Sequence, residues 1–328
     1  MNKIKLAIIY GGKSNEHDVS ILSYKSIINE IDKTKYNITS IYIDKAGNFL
    51  ENNKKIKSIY EYLKTFDVIF PILHGKNGED GNIEGMLELI EVPYVGSKVA
   101  SSSICMDKIF TKLIISTTKI KQTNYIYLKN INKKYFYNNK EIKLKEINKL
   151  IIEKLKYPVF IKPSRSGSSI GINECKSFKQ LKKCLETSSL VDNKIIIEEK
   201  IIGRELEVGV LGNDELLVTE VGEILNNNKF YDYESKYINS FKTSLALNID
   251  PSIKLKIKES AKTIYNLLDC KCMSRIDFFL EKDTNNIIFN EINTIPGFTK
   301  ISMYPKLCKT LNISYKELIN KLINYALK

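Results

Sequence analysis

The segment Ile4–Tyr10 (IKLAIIY) is an apolar run that stops at Gly11-Gly12. A strand without polar alternation has both faces covered, which is the condition of a strand inside a parallel sheet. No other feature limits the possible folds as much. The next residues agree with it. His17–Ile31 has helical spacing, and Asn37–Asp44 alternates as a strand. Phe66–Leu73 is a second buried strand, ending at His74-Gly75. Glu79–Ile90 reads as a helix with acidic residues in its first turn. Strands alternating with helices predict an open α/β sheet. Ligands of such sheets gather at the carboxyl ends of the strands, where both glycine turns lie.

The chain has 328 residues, too many for one ordinary core, and the pattern changes along it. Val92–Ser97 (VPYVGS) is punctuated by Pro and Gly and marks a boundary. Ser101–Ser116 reads as one helix carrying Met106-Asp107-Lys108. Residues 130–153 are rich in Lys and Asn and fit a hairpin or a helix. Tyr157–Pro163 is a strand leading into the loop Ser164–Gly171. Lys194–Glu199 and Glu205–Leu211 read as strands, Lys229–Ser240 as a loop, and Leu255–Leu268 as an amphipathic helix. Ser274–Leu280 and Ile287–Ile292 pair as antiparallel strands around the turn Asp283–Asn286. Tyr315–Tyr325 is a last helix. The expected fold class is α/β, with α+β character in the C-terminal part. Three parts are expected: 1–97, 98–193 and 194–328.

The net charge of +13 raises the question of a nucleic-acid partner. The lysines are scattered, with no patch and no nucleic-acid-binding motif, so nucleic acid is not an expected partner. No apolar stretch reaches the roughly 18 residues that a membrane span needs. The basic, apolar N-terminus resembles a signal peptide, but the run is short and ends in a glycine turn. It reads as a buried strand, and the protein as cytoplasmic. Of the six cysteines only Cys270 and Cys272 are close, a poor zinc signal, so reduced and mostly buried thiols are expected.

Two clusters carry chemistry. In Lys162–Gly171 (KPSRSGSSIG), Gly167 and Gly171 let backbone N–H groups approach an anion, serines add hydroxyls, and Lys162 adds a charge. The pattern is not a Walker loop. In the second cluster Glu291 and Asn293 are two apart on one strand and share a face, with Asp277 across the hairpin. Two carboxylates and an amide oxygen form a hard ligand set suited to Mg²⁺. Arg275, two before Asp277, shares that face and suits stabilisation of an oxyanion. The same four residues also fit a salt-bridge ladder on a solvated face.

Taken in order, GGKSNEHDVSILS, HGKNGEDGNIEGMLE, VPYVGS, MDKIFTK, PVFIKPSRSGSSIG, EEKIIGRELEVGVLG, FYDYESKY, SRIDFF and NEINTIPGFT resemble the D-alanine–D-alanine ligase family of the ATP-grasp superfamily, over almost the whole chain. The resemblance implies ATP and two Mg²⁺ (or Mn²⁺) ions. It implies that Glu16 binds the ammonium of the first D-alanine, with His74 near that subsite. Lys108 and Lys162 would hold phosphates. Glu198, Glu199 and Ile201 would line the adenine pocket, and Glu205 the ribose. Lys236 and Tyr237 would lie on a closing loop, and Ser168 would join Glu16 to it through Tyr237. Arg275 and the Gly297 N–H would form the oxyanion hole, and Asp277, Glu291 and Asn293 would hold metal. Ser302 and Met303 would shape the second subsite. A homodimer is implied too. The implied reaction joins two D-alanines through an acyl phosphate for peptidoglycan synthesis; the alternatives within the class are D-alanine–D-lactate and D-alanine–D-serine ligases. A nucleotide-binding regulatory protein with a dead site is a rival of another kind, and the presence of every ligand residue argues against it.

Overall fold

A computed structural model describes residues 3–225, 243–246 and 248–328. The first sheet contains β1 (Ile4–Gly11), β2 (Tyr36–Ile43), β3 (Phe49–Glu51), β4 (Lys54–Lys55) and β5 (Val68–Pro71), in the order β4-β3-β2-β1-β5. β1 is parallel to both β2 and β5. Its alternate residues go to opposite cores. Leu6 and Ile8 pack with Ile27 of α1 (His17–Glu30), and Ala7 and Ile9 pack with Leu63 of α2 (Ile59–Leu63) and Leu87 of α3 (Asn82–Ile90). Covering both faces is why the run has no polar alternation.

Two boundaries differ from the expected ones. β5 is shorter than Phe66–Leu73, because the Phe66 N–H closes a turn on the Leu63 carbonyl. α3 begins at Asn82 and not Glu79. The Glu79 carboxylate folds back to accept the Gly75 N–H at 2.6 Å, and Gly81 makes a left-handed turn (φ 94°) before the helix.

The single helix expected over Ser101–Ser116 is two helices, α4 (Val99–Met106) and α5 (Lys108–Ile115). Asp107 is extended (φ −89°, ψ 98°), and its carboxylate caps α5 by accepting the Ile109 and Phe110 N–H groups. It also accepts the Ser164 hydroxyl at 2.7 Å and the Lys194 ammonium at 2.6 Å. A strong N-cap residue with tertiary partners outweighs continued helix.

The second sheet joins β6 (Tyr125–Ile131), β7 (Lys134–Tyr137), β8 (Lys140–Ile142), β9 (Val159–Pro163), β10 (Asn173–Cys175) and β11 (Lys194–Glu199), in the order β10-β9-β11-β6-β7-β8. Its pairings are antiparallel. The Lys/Asn-rich stretch supplies both a hairpin and a helix, α6 (Leu144–Lys154). α6 and α7 (Phe178–Ser189) cover this sheet through Ile147, Ile151, Leu181 and Leu185.

The third sheet contains β12 (Gly203–Leu211), β13 (Leu217–Val218), β14 (Gly222–Ile224), β15 (Thr243–Leu245), β16 (Met273–Glu281) and β17 (Ile287–Asn293). Its path is β15-β14-β12-β16-β17, with β13 against β12. α8 (Pro251–Leu267) packs on it through Ile257, Ala261 and Ile264, and Cys105 of α4 and Ile115 of α5 join the same core. α9 (Met303–Cys308) follows, and then α10 (Tyr315–Ala326). α10 turns back to the first sheet. Leu318, Ile319 and Leu322 enter the core of Leu6, Ile8 and Phe70, and the Tyr315 hydroxyl donates to the Phe298 carbonyl at 2.5 Å.

All six cysteines are free and buried. Among the described residues no helix is long and apolar enough to cross a membrane. An Asp107→Ala variant should lose about 1–2 kcal/mol of stability, through loss of the α5 cap and of the Lys194 partner. Urea unfolding with an unchanged slope would report this, and an unshifted midpoint would show that the cap contributes nothing.

Candidate active site

The chemistry is laid out by strand register. Asp277 on β16 stands opposite Glu207 on β12 and opposite Glu291 on β17. Arg275 stands opposite Asn293. A β-bulge follows Asp277 on this hairpin, a device common beside active sites. Arg275 is folded across the row. Its Nε and Nη2 donate to the two Asp277 oxygens at 2.8 and 2.7 Å, and Nε lies 3.2 Å from Glu207 Oε1. Burial works against its charge, but Asp277 and Glu207 outweigh burial and hold the guanidinium above its usual range.

The loop Ser164–Gly171 faces this sheet. Ser168 and Ser169 adopt left-handed conformations (φ 49° and 58°), and Gly171 does so at φ 75° with Pro163 and Val191 against its missing side chain. Lys108 Nζ donates to the Ser166 carbonyl at 2.9 Å and lies 3.1 Å from Glu291 Oε2. Lys162 Nζ lies 2.7 Å from Glu198 Oε2. Arg165 turns away to Asp192, which takes its Nε and Nη2 at 3.1 and 2.6 Å. Between the second and third sheets is a cleft of about 570 Å³, lined by Lys162, Glu198, Glu199, Ile201, Glu205, Arg275, Asp277 and Glu291 among others. Glu199 also holds the strand edge, accepting from the Asn124 backbone N–H at 2.7 Å.

A second corner joins the first sheet to the loop Ser164–Gly171. Glu16 is buried at the start of α1 and accepts the Ser168 hydroxyl. A side chain at Gly75 would collide with the Glu16 carboxylate, which explains the glycine there. His74 is buried between α1 and the loop after β17. Its Nδ1 faces the Ile295 carbonyl at 3.1 Å and so carries the proton; Nε2 then accepts from Ser23 at 3.0 Å. Burial pulls its pKa down to about 4. Ser302 stands at the N-cap position of α9 without a side-chain cap; its Oγ lies 2.7 Å from Thr299 Oγ1 and beside Gly297. Met303 lines a separate cavity of about 410 Å³ with Ser244, Leu245 and Lys306. Lys236 and Tyr237 lie outside the described residues.

Three charged residues went unassigned in the sequence. Glu207 was legible as the second acid of Glu205-x-Glu207, on the same strand face. Lys112 follows Lys108 by one helical turn and lies 2.8 Å from Glu198 Oε1. Glu79 closes the loop after His74, and burial, with the nearby Glu16 charge adding, pushes it up to about 8.

Among the described residues no three acidic, His or Cys side chains form a metal nest. The ligand set that fits a divalent ion is mixed, two carboxylates and an amide. Counting Glu207, Asp277 and Glu291 against Arg275 and Lys108, the row keeps one net negative charge, which suits a hard cation.

Two sheets that close on a cleft of lysines and carboxylates, beside an open α/β sheet, define an ATP-grasp enzyme. The family models for the D-ala D-ala ligase N-terminus and C-terminus match residues 5–62 with 51–97, and 114–324. D-alanine–D-alanine ligase B of Clostridium tetani is 43% identical, over 100% of this chain and 94% of that protein. The solved structure of the VanG D-Ala:D-Ser ligase of Enterococcus faecalis is 34% identical, with a TM-score of 0.84 over 99% of this chain and all of that one. The Coxiella burnetii D-alanine–D-alanine ligase structure is 28% identical, also with a TM-score of 0.84, over 100% and 94%. The chain belongs to the D-alanine–D-alanine ligase family.

The His74 geometry has a pH signature. Its folded pKa of about 4 lies below the unfolded value near 6.5, so between those values the unfolded chain binds a proton that the folded chain refuses. Its contribution should leave stability level above pH 6.5 and lower it by up to about 3 kcal/mol on descent to pH 4. A His74→Asn variant should lose less stability than the parent between pH 7 and 4.5. Equal losses in denaturant titrations would refute the neutral, buried assignment.

Proposed function

We propose that the chain joins two D-alanine molecules to D-alanyl-D-alanine at the expense of ATP, supplying a precursor of peptidoglycan. One observation carries this reading. The β12–β16–β17 register puts Arg275, Asp277, Glu291 and Asn293 on one sheet face, and the first three line the cleft together with Lys162.

The residues divide the work. Glu16 takes the ammonium of the first D-alanine, with His74 fixing the wall behind it. An oxygen of that D-alanine's carboxylate attacks the γ-phosphorus of ATP, and ADP leaves. Lys108 and Lys162 hold the phosphates, Glu199 and Ile201 border the adenine, and Glu205 takes the ribose hydroxyls. Glu198 belongs to this pocket, but its carboxylate is bound to two lysines. Asp277, Glu291 and Asn293 would hold two Mg²⁺ or Mn²⁺ ions, which neutralise charge on the transferred phosphoryl group when bound. The neutral amine of the second D-alanine, set by Ser302 and Met303, attacks the acyl carbon, and phosphate leaves. Arg275 and the Gly297 N–H stabilise the oxyanion formed between these events. Ser168 orders Glu16. Lys236 and Tyr237 are assigned by the family resemblance to the segment that closes the site.

We extend the reading to a cytoplasmic homodimer with divisions near 97 and 193. A second reading, D-serine or D-lactate as acceptor, draws on the D-Ala:D-Ser ligase likeness. The sequence relatives reported favour D-alanine. Purified protein with ATP and Mg²⁺ should release phosphate on D-alanine alone. Release that requires D-serine or D-lactate would replace the acceptor. An Arg275→Ala variant should keep nucleotide affinity and lose on the order of 10²–10³ in kcat; unchanged turnover would remove Arg275 from the oxyanion role. A Glu291→Gln variant should need more Mg²⁺ for half-saturation, and an identical titration would strike it from the ligand set.

A further inference from the structure

Lys112 of α5 is 1% exposed, and it is not among the residues that line the cleft. Its ammonium lies 2.8 Å from Glu198 Oε1 and donates to Thr123 Oγ1 at 2.7 Å. The Thr123 hydroxyl donates to the same Oε1, at 2.7 Å. The other oxygen, Oε2, takes Lys162 at 2.7 Å. One buried carboxylate thus holds two ammonium groups, of which only Lys162 reaches the cleft.

The charge count is the point. Lys162 and Glu198 alone form a neutral pair, which has little net pull on a polyphosphate. Lys112 adds a positive charge behind them, in a region where burial weakens screening. A lysine head on a four-carbon stem also needs an anchor, and Glu198 is that anchor. Burial by itself would lower Lys162 and raise Glu198. Their attraction wins, so Lys162 is held up, and Glu198, drawn by both Lys112 and Lys162, is held below the usual carboxylate range; Lys112 itself is pulled down by burial, against which Glu198 holds its charge.

We propose that Lys112 is a positioning residue for the nucleotide: through Glu198 it fixes Lys162 and leaves the triad one net positive charge facing the phosphates. The proposal rests on the ligase reading above. It also separates two lysines of one motif, since Lys108 pairs with Glu291 at the metal row and Lys112 works from behind.

Charge swaps test it. Across the three groups the native protein and K112R carry one net positive charge, and K112M carries none. Binding of Mg-ADP, measured by calorimetry without D-alanine, should weaken roughly tenfold in K112M. It should stay within about threefold of the native value in K112R, which keeps the charge and leaves Glu198 and Lys162 in place. KM for D-alanine should stay within about twofold in both. A purely packing role would reverse the order, with the near-isosteric K112M keeping native affinity and the bulkier K112R losing it. Either of those results, or a parallel rise in KM for D-alanine, would overturn the proposal. Should K112M not fold, K112R decides alone, and a loss beyond threefold would overturn the idea. Phosphate release by the native enzyme checks the ligase reading separately. Native ADP binding without ligation would overturn that reading alone, and no ADP binding at all would overturn both.

Discussion

In the third sheet, Asp277 stands between Glu207 on one neighbouring strand and Glu291 on the other. Like charges directly across strands repel. Arg275 answers this by lying over the row, gripping both Asp277 oxygens and touching Glu207. Such a fork binds a carboxylate in one plane, so Arg275 is fixed before any substrate arrives. Preorganisation of this kind is what makes an oxyanion donor effective, since no reorientation is needed during the reaction. The acids that could hold metal thus also aim the cation beside them.

The other side of the cleft is ordered by a different device. Asp107 interrupts what would be one helix, caps α5, and binds Ser164 and Lys194. The break lets Lys108 and Lys112 start a fresh helix next to the loop Ser164–Gly171. Two lysines one turn apart then serve two carboxylates on different sheets, Glu291 and Glu198. The loop itself holds two serines in left-handed conformations, which persist only where the surrounding contacts impose them.

Much of this was legible in the sequence because it depends on local spacing. The β1 run announced a strand covered on both faces, and the period of two in Glu291-x-Asn293 and Arg275-x-Asp277 announced a shared face. What stayed hidden depends on partners far along the chain. Nothing near Asp107 says that Ser164 and Lys194 will reward a helix break. Nothing near Arg165 says that Asp192 will draw it from the loop Ser164–Gly171. Nothing near Glu198 says that Lys112 will take one of its oxygens from behind. The short strands β7 and β8 come from a stretch whose polar composition hides its period. Lys236 and Tyr237 rest on resemblance alone.

The return of α10 to the first sheet has a consequence for biosynthesis. Leu318, Ile319 and Leu322 complete a core begun by Leu6 and Ile8. α1 covers part of that sheet face with Ile27, and the rest waits for α10 through synthesis of the second and third sheets. Maturation of the first sheet therefore cannot follow the order of synthesis strand by strand, and until α10 arrives the nascent chain carries an apolar strip that needs shielding from its neighbours.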